Sequence, residues 1–448
     1  MSAKGIDLTQ GSILKKLIAI AAPVMAMQVF QMAYNLIDMF FLGRISDDAV
    51  AASGSAGMFL WLSVAFFIIG QLGAEIGVSQ STGKGDDLSA RKYAKNSILI
   101  AIILGVLTSI ITILFSEQLI SLLRIREAHV ARDSAVYLRI VGFAFPMIFI
   151  NSAISGIYNG VGNSKLPFYL KTIGLIFNVL ITPVFIFSLG WGIVGAAVAT
   201  AIGHTVTGLL LLFSVKHPRF CPFDNFKFRE IFTADKKIIK QIFKWSLPIA
   251  ADSALFTMLT MIIAGFVAGF GSGAIASQRV ATQIESLSWL IGGGYAAAFR
   301  SFVGQNYGAR KFDRLKKGYK LSATAMTLWG VGVGIVMFFA GGPIFRLFIT
   351  DPESIEIGIS YMRILAVVQV AQCMDGLSAS AFDGLGMTLP PTVVSITFNA
   401  LRVLVALFLS QTSLGINGIW IGIAFGNLMR GIVLTSWYLL YSRKKIAL

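Results

Sequence analysis

The first long apolar run constrains the fold most, because it can cross a membrane and yet carries a carboxylate. The run from Pro23 to Gly43 reads PVMAMQVFQMAYNLIDMFFLG, and its only charged side chain is Asp38. About twenty apolar residues in a helix span the hydrocarbon core of a bilayer. A charge at that depth costs about 2.5–3.5 kcal/mol, so it requires a polar partner, a water-filled cavity or a bound proton. The run therefore predicts a transmembrane helix with an acid inside it.

Other polar side chains share one side of this helix with Asp38. At 100° per residue, Gln31, Asn35 and Asp38 fall within about 60° of one another, and Tyr34 lies beside them. A cluster that only joins neighbouring helices would also explain this stripe. Titratable groups at membrane depth usually serve function, however, so we interpret the stripe as functional.

The same apolar pattern continues through the whole chain. Of its 448 residues, 56% are hydrophobic and only 13% are charged, which is far less charge than a soluble protein of this length carries. Apolar runs of about 20 residues alternate with charged or Gly/Pro-containing breaks. The runs lie near 15–43, 52–80, 93–115, 134–160, 166–189, 193–215, 239–268, 275–304, 319–345, 357–382, 391–411 and 415–440. We predict an all-α polytopic membrane protein with twelve transmembrane helices.

The chain has a formal net charge of +16, and the basic residues that produce it lie mainly in the loops between the apolar runs. Basic residues concentrate in alternate loops, which are those at 84–95, 165, 216–244, 310–320 and 443–445. The positive-inside rule assigns such loops to the cytoplasm, so we expect both termini to be cytoplasmic in a multi-pass protein of the inner or plasma membrane. This distribution excludes a nucleic-acid partner. The cysteines, Cys221 and Cys373, show no disulfide or metal-binding spacing.

The two halves of the chain resemble each other. Short motifs recur in the same order, at offsets of about 221–225 residues. The pairs are Pro23 and Pro248, VSQSTG at 78–83 and VGQNYG at 303–308, NGVG at 159–162 and DGLG at 383–386, FNVL at 177–180 and FNAL at 398–401, and GIVGAA at 192–197 and GINGIW at 415–420. We predict two parallel six-helix repeats related by a pseudo-two-fold axis along the membrane normal. The predicted boundaries are 1–215 for the first lobe, 216–238 for a basic cytoplasmic linker and 239–448 for the second lobe.

No nucleotide-binding or catalytic motif is present in the sequence. The turn Gly83-Lys84-Gly85-Asp86 lacks the spacing of a phosphate-binding loop, and the histidines at 129, 204 and 217 lack metal-binding spacing. We therefore expect no enzymatic activity and no cofactor, and transport that is driven by an ion gradient.

Polar residues of the first six predicted helices are candidates for a site around Asp38. They are Gln31 and Asn35 on helix 1, Tyr137, Asn151 and Ser155 on helix 4, Asn178 and Thr182 on helix 5, and Thr200 on helix 6. Pro146 and Pro183 interrupt helices 4 and 5, which frees backbone carbonyls for such a site. Methionine surfaces suit varied ligands. The candidate apolar lining consists of Met27, Met32, Phe145, Phe149, Met258 and Met261.

Together these motifs resemble the multidrug and toxic compound extrusion (MATE) transporters, in the DNA-damage-inducible-F-like branch. The residues that carry the resemblance are Pro23, Asp38 and Gly43, then Gln80 and Gly83 with their repeat copies, then Gly160, Gly162 and Pro167, and finally Asn178, Gly192, Gly195 and Thr200. The resemblance covers both halves. It implies a V-shaped pair of six-helix lobes that export amphipathic, often cationic small molecules in exchange for H⁺ or Na⁺.

The resemblance also implies a cation site in the first lobe. Relatives form it from an Asp on helix 1, an Asn and an Asp on helix 5 and a Thr on helix 6, with a Gln and a Tyr nearby. The matching residues are Asp38, Asn178, Thr200, Gln31 and Tyr137. Two positions differ, because the helix 5 acid is Thr182 here and a helix 4 Asn is Ser155. The loss of one acid favours H⁺ over Na⁺ as the coupling ion.

We hypothesise a proton-coupled multidrug exporter that acts as a monomer in the lipid bilayer. An ionised Asp38 attracts an organic cation and a protonated one does not, and protonation would repack helix 1 through Pro23 and hydrogen bonds of Asn35 and Asp38. The substrate contacts are assigned to Asp38, Asn35, Tyr34, Met27, Asn151 and Phe149. A Na⁺-coupled antiporter and a lipid-linked oligosaccharide flippase of related architecture are the alternatives.

The second half carries intramembrane charges of its own, at Asp252, Glu285, Arg300, Asp375 and Arg402. Salt bridges and helix-end anchoring are the simpler interpretation of most of them. Glu75 and Arg300 are different, because they occupy equivalent repeat positions with opposite charge. We predict that these two side chains pair across the interface between the lobes.

Overall fold

The structure is a computed structural model that describes residues 5–125, 127–224, 226–349 and 351–445, and these ranges contain helices and no β-strand. The helices of the first half are α1 (Ile13–Gly43), α2 (Asp47–Lys84), α3 (Asp87–Leu114), α4 (Ser116–Ser121), α5 (Ala128–Gly142), α6 (Phe145–Val161), α7 (Lys165–Pro183) and α8 (Gly192–Lys216). Those of the second half are α9 (Lys236–Ala268), α10 (Ser272–Gly308), α11 (Phe312–Phe345), α12 (Pro352–Ala366), α13 (Gln369–Gly384), α14 (Leu389–Ser410) and α15 (Ile416–Lys445). We call α1–α8 the N-lobe and α9–α15 the C-lobe.

The helices account for twelve membrane spans, which confirms the predicted fold. Within the described residues, nine helices are individually long and apolar enough to cross a bilayer, and the pairs α5/α6 and α12/α13 each form one bent span. The remaining span is α10, which has 37 residues and contains charged side chains such as Glu285 and Arg300. Those charges explain why its average composition is less apolar.

The bent spans confirm the interruption that Pro146 predicts in the span at 134–160, and they correct the prediction of one continuous helix at 357–382. The bend is 53° between α5 and α6 and 52° between α12 and α13. Pro146 stands in the first turn of α6, where its missing N–H does no harm. Pro183 ends α7, and a π-helical turn, Val184–Ser188, follows it. The C-lobe break at Val367 and Val368 contains no proline, so the sequence did not indicate it.

The two lobes have the same internal arrangement, which confirms the parallel repeat. Each lobe breaks the same span at nearly the same angle. Across the interface, α1 packs on α10 and its counterpart α9 packs on α2, while α2 and α10 pack on each other. This exchange of partners is what a pseudo-two-fold axis between the lobes requires.

The lobes meet at the end of the bundle that carries the α2–α3, α6–α7 and α10–α11 loops, which we call the basic end. There, a Cβ added to Gly83 would lie 1.9 Å from the Gln305 carbonyl oxygen, and one added to Gly308 would lie 2.1 Å from the Gln80 carbonyl oxygen. These two contacts are equivalent under the repeat. Only glycine allows the helix backbones to approach so closely.

The chain preceding α1 crosses the basic end and contacts both lobes. The Ile6 amide donates to the Gly162 carbonyl of the N-lobe at 3.1 Å. The Leu8 amide donates to the Gln305 side chain of the C-lobe at 3.1 Å. The Arg314 guanidinium donates to three carbonyls of this segment, including that of Leu8 at 3.0 Å. The segment therefore fastens the two lobes together.

The segment between α8 and α9 packs against the N-lobe. It contains a short 3₁₀ helix, Phe228–Phe232. The apolar side chains of Cys221, Phe223 and Ile231 are buried in a cluster formed with α3 and α6. Lys95 on α3 pairs with Glu230. These contacts anchor the linker to one lobe.

Polar contacts between the lobes are confined to the basic half of the molecule. In the described ranges, all hydrogen bonds and ion pairs that join α1–α8 to α9–α15 involve residues near that end, for example Gln80 with Gly384 and Ser246 with Ile69. Gly294 of α10, whose added Cβ would lie 2.9 Å from Met25, marks a close packing contact deeper in the bundle. The lobes are thus closed at the basic end.

Candidate cation and substrate site

Helix α1 brings a phenol and a carboxylate to the interior of the N-lobe. Tyr34 is buried, and its hydroxyl lies 3.4 Å from the Thr200 hydroxyl on α8. Asp38 follows one helical turn later, and its Oδ1 is buried with no hydrogen-bond partner among the described residues. Asp38 is close enough to act electrostatically on both Tyr34 and Tyr137. The four side chains therefore form one polar cluster.

Helix α7 adds an amide and a hydroxyl to the cluster. The Thr182 hydroxyl donates to the Asn178 backbone carbonyl at 2.8 Å and approaches the Asn178 side-chain oxygen at 3.1 Å. Both residues are buried. Gly203 on α8 permits this position, because a Cβ there would lie 2.8 Å from the Asn178 Cβ. The structure thus places Asn178 and Thr182 between α7 and α8, with Asn178 close to the Tyr34 hydroxyl.

The chemistry of this cluster is that of a single acid among neutral oxygen donors. Within the described ranges, no group of three or more His, Cys, Asp and Glu side chains could hold a metal ion. A buried carboxylate oxygen without a partner is costly unless it receives a proton or a cation. Hydroxyl and amide oxygens nearby can accept a hydrogen bond or contact a small cation. The site can therefore bind one positive charge.

Gln31 and Asn35 form a separate pair on α1. The Gln31 amide donates to the Asn35 side-chain oxygen at 3.3 Å, and Asn35 is exposed in the structure. The hypothesised hydrogen bond between Asn35 and Asp38 is absent from the described residues, because the Asn35 oxygen is directed to Gln31. The helical periodicity thus correctly placed these residues on one side of α1, but it did not predict their hydrogen-bond partners.

The α6 residues lie nearer the basic end. The Asn151 amide donates to the His204 carbonyl at 3.2 Å, one turn along α8 from Thr200. The Ser155 hydroxyl donates to the Asn151 carbonyl at 2.6 Å and so follows its own helix. The buried side-chain oxygen of Asn151 has no partner in the described part of the chain. Both residues are thus adjacent to the Asp38 cluster and make no hydrogen bond to it.

The predicted apolar lining divides into two groups. Phe149 is fully buried and makes edge contacts with Phe67 and Phe145, so it belongs to the N-lobe core and does not line the space between the lobes. Met27 is half-buried on α1, while Met258 and Met261 on α9 are exposed by 55% and 50%. Only the methionines are accessible to a ligand.

The intramembrane charges of the C-lobe make polar contacts, as expected, with partners that the sequence did not indicate. Arg430 on α15 lies 2.6 Å from the Asp375 carboxylate, and the Tyr361 hydroxyl donates to Glu285 at 2.7 Å. Arg402 donates to the Thr260 hydroxyl at 2.8 Å and stacks over the Phe256 ring. A charged residue in the middle of α15 was the available signal for Arg430.

Comparison with known proteins connects this architecture to a family. The MatE family model matches residues 23–184 and again residues 248–408, one match in each lobe. The "Probable multidrug resistance protein NorM" of Thermotoga maritima is 28% identical over 425 residues, which cover 91% of this chain and 88% of that protein. The "Probable multidrug resistance protein YoeA" of Bacillus subtilis is 28% identical over 436 residues, with coverage of 94% and 93%.

Solved structures agree on the fold. A structure described as "Crystal structure of MATE in the bent conformation" matches with a TM-score of 0.92, 24% identity and complete coverage of both chains, 100% each. One described as "Outward-facing conformation of a multidrug resistance MATE family transporter of the MOP superfamily" matches with a TM-score of 0.91 and 24% identity over 99% of each chain. The two family matches, placed on a twelve-span duplicated bundle, mean that this chain belongs to the MATE family of transporters.

Proposed function

We propose that this protein is a secondary active exporter that antiports amphipathic, often cationic compounds against protons, with Asp38 as the proton-binding group. The names of its relatives support multidrug export. The charge of the loops supports an inner or plasma membrane location with both termini in the cytoplasm. The basic end, where the lobes are closed, would then face the cytoplasm.

The buried Oδ1 of Asp38 is the observation that carries this proposal. That atom has no hydrogen-bond partner among the described residues, although Asp38 lies near the hydroxyls of Tyr34 on α1 and Tyr137 on α5. An ionised carboxylate in such a place is stabilised by a bound cation, and a neutral one by a bound proton. Proton and cationic substrate therefore compete for one group, which is the minimum that exchange requires.

Alternating access would turn this competition into transport. With the basic end open, an ionised Asp38 receives an organic cation from the cytoplasm. With the basic end closed, as in this structure, the cluster lies on the other side of the closed contacts. Asp38 is 13 residues beyond Met25, or about 20 Å of helix. A proton that arrives from the external compartment then neutralises Asp38 and releases the substrate.

The composition of the cluster favours protons over Na⁺. Asp38 is its only acid, since Thr182 offers a neutral hydroxyl, whose proton is donated to Asn178, in place of a second carboxylate. Hard cations are held by several oxygen ligands, usually including carboxylates. A proton needs only one carboxylate oxygen.

The test is drug efflux from proteoliposomes under an imposed ΔpH or an imposed Na⁺ gradient. We expect ΔpH to drive efflux by the wild type, and Asp38→Asn to lose that response. Asp252→Asn is the matched control, because Asp252 is a C-lobe acid that also has a buried oxygen without a partner in the described ranges. Full ΔpH-driven efflux by Asp38→Asn would refute the role of Asp38. Efflux that follows only the Na⁺ gradient would establish the alternative coupling ion.

A further inference from the structure

Three charged side chains meet in the closed interface between the lobes. The Arg300 guanidinium on α10 lies 3.2 Å from the Glu75 carboxylate on α2 and 3.3 Å from the Asp383 carboxylate on α13. The Ser301 hydroxyl donates to the other Glu75 oxygen at 3.2 Å. The exposed fraction of the side chain is 0% for Glu75 and 6% for Asp383. We call Glu75, Arg300 and Asp383 the interlobe triad.

The charges of the interlobe triad do not balance. Two carboxylates share one guanidinium, so the fully ionised triad has a net charge of −1. The Oδ1 atom of Asp383 is buried and has no hydrogen-bond partner among the described residues. A buried charge without a partner is strongly unfavourable. One bound proton would make the closed triad neutral.

The groups around the interlobe triad do not supply the missing positive charge. Asp252 on α9 is close enough to act electrostatically on Asp383, and it is another acid. From α6, the backbone near Gly160 packs against Glu75. The Gln80 amide, on α2, is directed to the Gly384 carbonyl. The proton therefore has to come from solution.

We propose that the interlobe triad is a second proton-binding site, which holds one proton while the lobes are closed at the basic end and releases it there when they part. Only Glu75 comes from the N-lobe, so parting removes it from Arg300 and admits water. Arg300 and Asp383 then remain as a neutral pair within the C-lobe. Glu75 becomes hydrated, and the proton passes to the water of the cytoplasmic compartment.

The repeat provides a natural substitution for testing this site. The position of Asp383 corresponds to Asn159 in the first half. An amide is therefore compatible with the same place in the fold, and Asp383→Asn removes one acid with little change of shape. The triad would then be neutral without a proton.

The proposal requires alternating access and does not depend on the role of Asp38. All measurements can therefore be made in an Asp38→Asn background, so that titration of Asp38 does not contribute. Spin labels at Leu88 on α3 and Lys317 on α11, both exposed at the basic end, report the separation of the lobes. Replacing Cys221 and Cys373 leaves only the introduced labels.

The experiment measures the distance distribution between the two labels in lipid nanodiscs from pH 5 to pH 9. Linkage to one proton predicts that the ratio of open to closed molecules rises with pH, by up to about tenfold per pH unit. In Asp383→Asn this ratio should be independent of pH. Glu75→Gln should also be independent of pH and more open, because it loses the ion pair between the lobes.

Asp252→Asn is the control and should keep the slope of the pH dependence, because its acid lies outside the interlobe triad, while the loss of a negative charge near Asp383 shifts the transition to lower pH. The proposal is wrong if the Asp38→Asn background shows no pH dependence, or if folded Asp383→Asn or Glu75→Gln protein keeps the full slope. Two variants on different helices ensure a result even when one of them does not fold. The result does not depend on whether Asp38 is the proton-binding group for efflux, because all measurements use the Asp38→Asn background.

Discussion

Glu75 on α2 and Arg300 on α10 are 225 residues apart and occupy equivalent positions in the two lobes, and their side chains meet at 3.2 Å. An unchanged duplication would have placed two like charges beside the pseudo-two-fold axis. Like charges in a buried interface repel each other and cost desolvation as well. The two halves have instead diverged into complementary charges, so the closed interface depends on a difference between the repeats.

The same axis relates a pair of residues that remained identical. The Gln80 amide donates to the Gly384 carbonyl at 2.9 Å, and the Gln305 amide donates to the Gly160 carbonyl at 2.8 Å. Each glutamine thus reaches the end of the bent span in the opposite lobe. Two neutral amides do not repel each other across the axis. Gln80 and Gln305 can therefore both donate the same hydrogen bond to the opposite lobe.

Removal of these amides should weaken closure at the basic end. A net hydrogen bond contributes about 0.5–1.5 kcal/mol. Gln80→Ala combined with Gln305→Ala removes these two bonds and the one that the Leu8 amide donates to Gln305, so it should favour the open basic end by roughly 1.5–4.5 kcal/mol. Distances between spin labels on the two lobes measure this shift. Gln118→Ala, at an exposed position of α4, should change nothing. Equal closure in the double variant and the wild type would contradict the role of the glutamines.

Substitution of the glycines at the interlobe contacts, Gly83 and Gly308, should disturb closure even more than loss of the glutamines. The Cβ of Gly83→Ala or Gly308→Ala would overlap a backbone carbonyl of the opposite lobe, at 1.9 Å and 2.1 Å. Backbone cannot move aside as a flexible side chain can, so either variant should trap the basic end open and abolish efflux. Labelling of the interface by a membrane-impermeant thiol reagent should then increase at a cysteine placed at Ser79, which is fully buried against Gly304 of the opposite lobe in the closed structure.

Gly292→Ala is the matched control for these variants. It lies on α10, as Gly308 does, but an added Cβ there meets nothing within 4 Å. Alanine is favoured over glycine in a helix by roughly 0.5–1 kcal/mol, so this variant should be at least as stable as the wild type and fully active. Loss of activity in both variants would indicate helix flexibility and not interface contact.

The fold and the interlobe ion pair could be predicted because each has a regular signal. Membrane-length apolar runs predict spans, and the repeat offset by itself aligns Glu75 with Arg300. Proline marks the breaks at Pro146 and Pro183. The C-lobe bend at Val367 has no such mark in the sequence.

The site was predicted less completely than the fold. Helical periodicity puts Asn35 and Asp38 on one side of α1. It gives no information about which helices pack there, and those helices determine the hydrogen-bond partner of each side chain. Asn35 consequently pairs with Gln31, and Asp38 lies with Tyr34 instead. Phe149 was proposed as a ligand contact because it is aromatic and in the membrane, whereas its burial depends on α2 and the rest of α6.

The linker should stay docked on the N-lobe at neutral pH and detach in acid. The hydrogen bond from Lys95 lowers the pKa of Glu230 below its usual value of 4.5, and backbone hydrogen bonds from Ile238 lead the causes that lower the pKa of Asp235 below 3.8. A lowered pKa means that the folded state favours the ionised carboxylate. This stabilisation is complete above the usual value and is lost as the pH falls through the lowered one.

The thiol of Cys221, which is buried in the docked linker, can report this detachment. In a Cys373→Ala background, a pyridyl disulfide reagent should react slowly between pH 5 and pH 8 and faster below about pH 4. Lys95→Met should raise the reaction rate already at pH 7. A rate that is unchanged by Lys95→Met would mean that apolar burial alone holds the linker.

Thr182 provides a test of why this transporter would use protons. The side chain is 1% exposed, and its hydroxyl lies 3.1 Å from the Asn178 side-chain oxygen. Thr182→Asp would add a second carboxylate to the cluster that contains Asp38. Two carboxylates with amide and hydroxyl oxygens form a ligand set that a hard cation prefers, so we expect the variant to gain Na⁺-driven efflux and to lose part of its response to ΔpH.

Thr182→Asn is the matched control, because it has the shape of the aspartate without its charge. Na⁺ should raise the melting temperature of detergent-purified Thr182→Asp, since a ligand that binds only the folded state stabilises it by RT ln(1 + [Na⁺]/Kd). K⁺ at the same ionic strength should not do so, and Thr182→Asn should respond to neither ion. An equal Na⁺ response in both variants would show that the number of acids does not set the ion preference. A Na⁺ response that also persists when Asp38→Asn is added to Thr182→Asp would place the bound ion away from the Asp38 cluster.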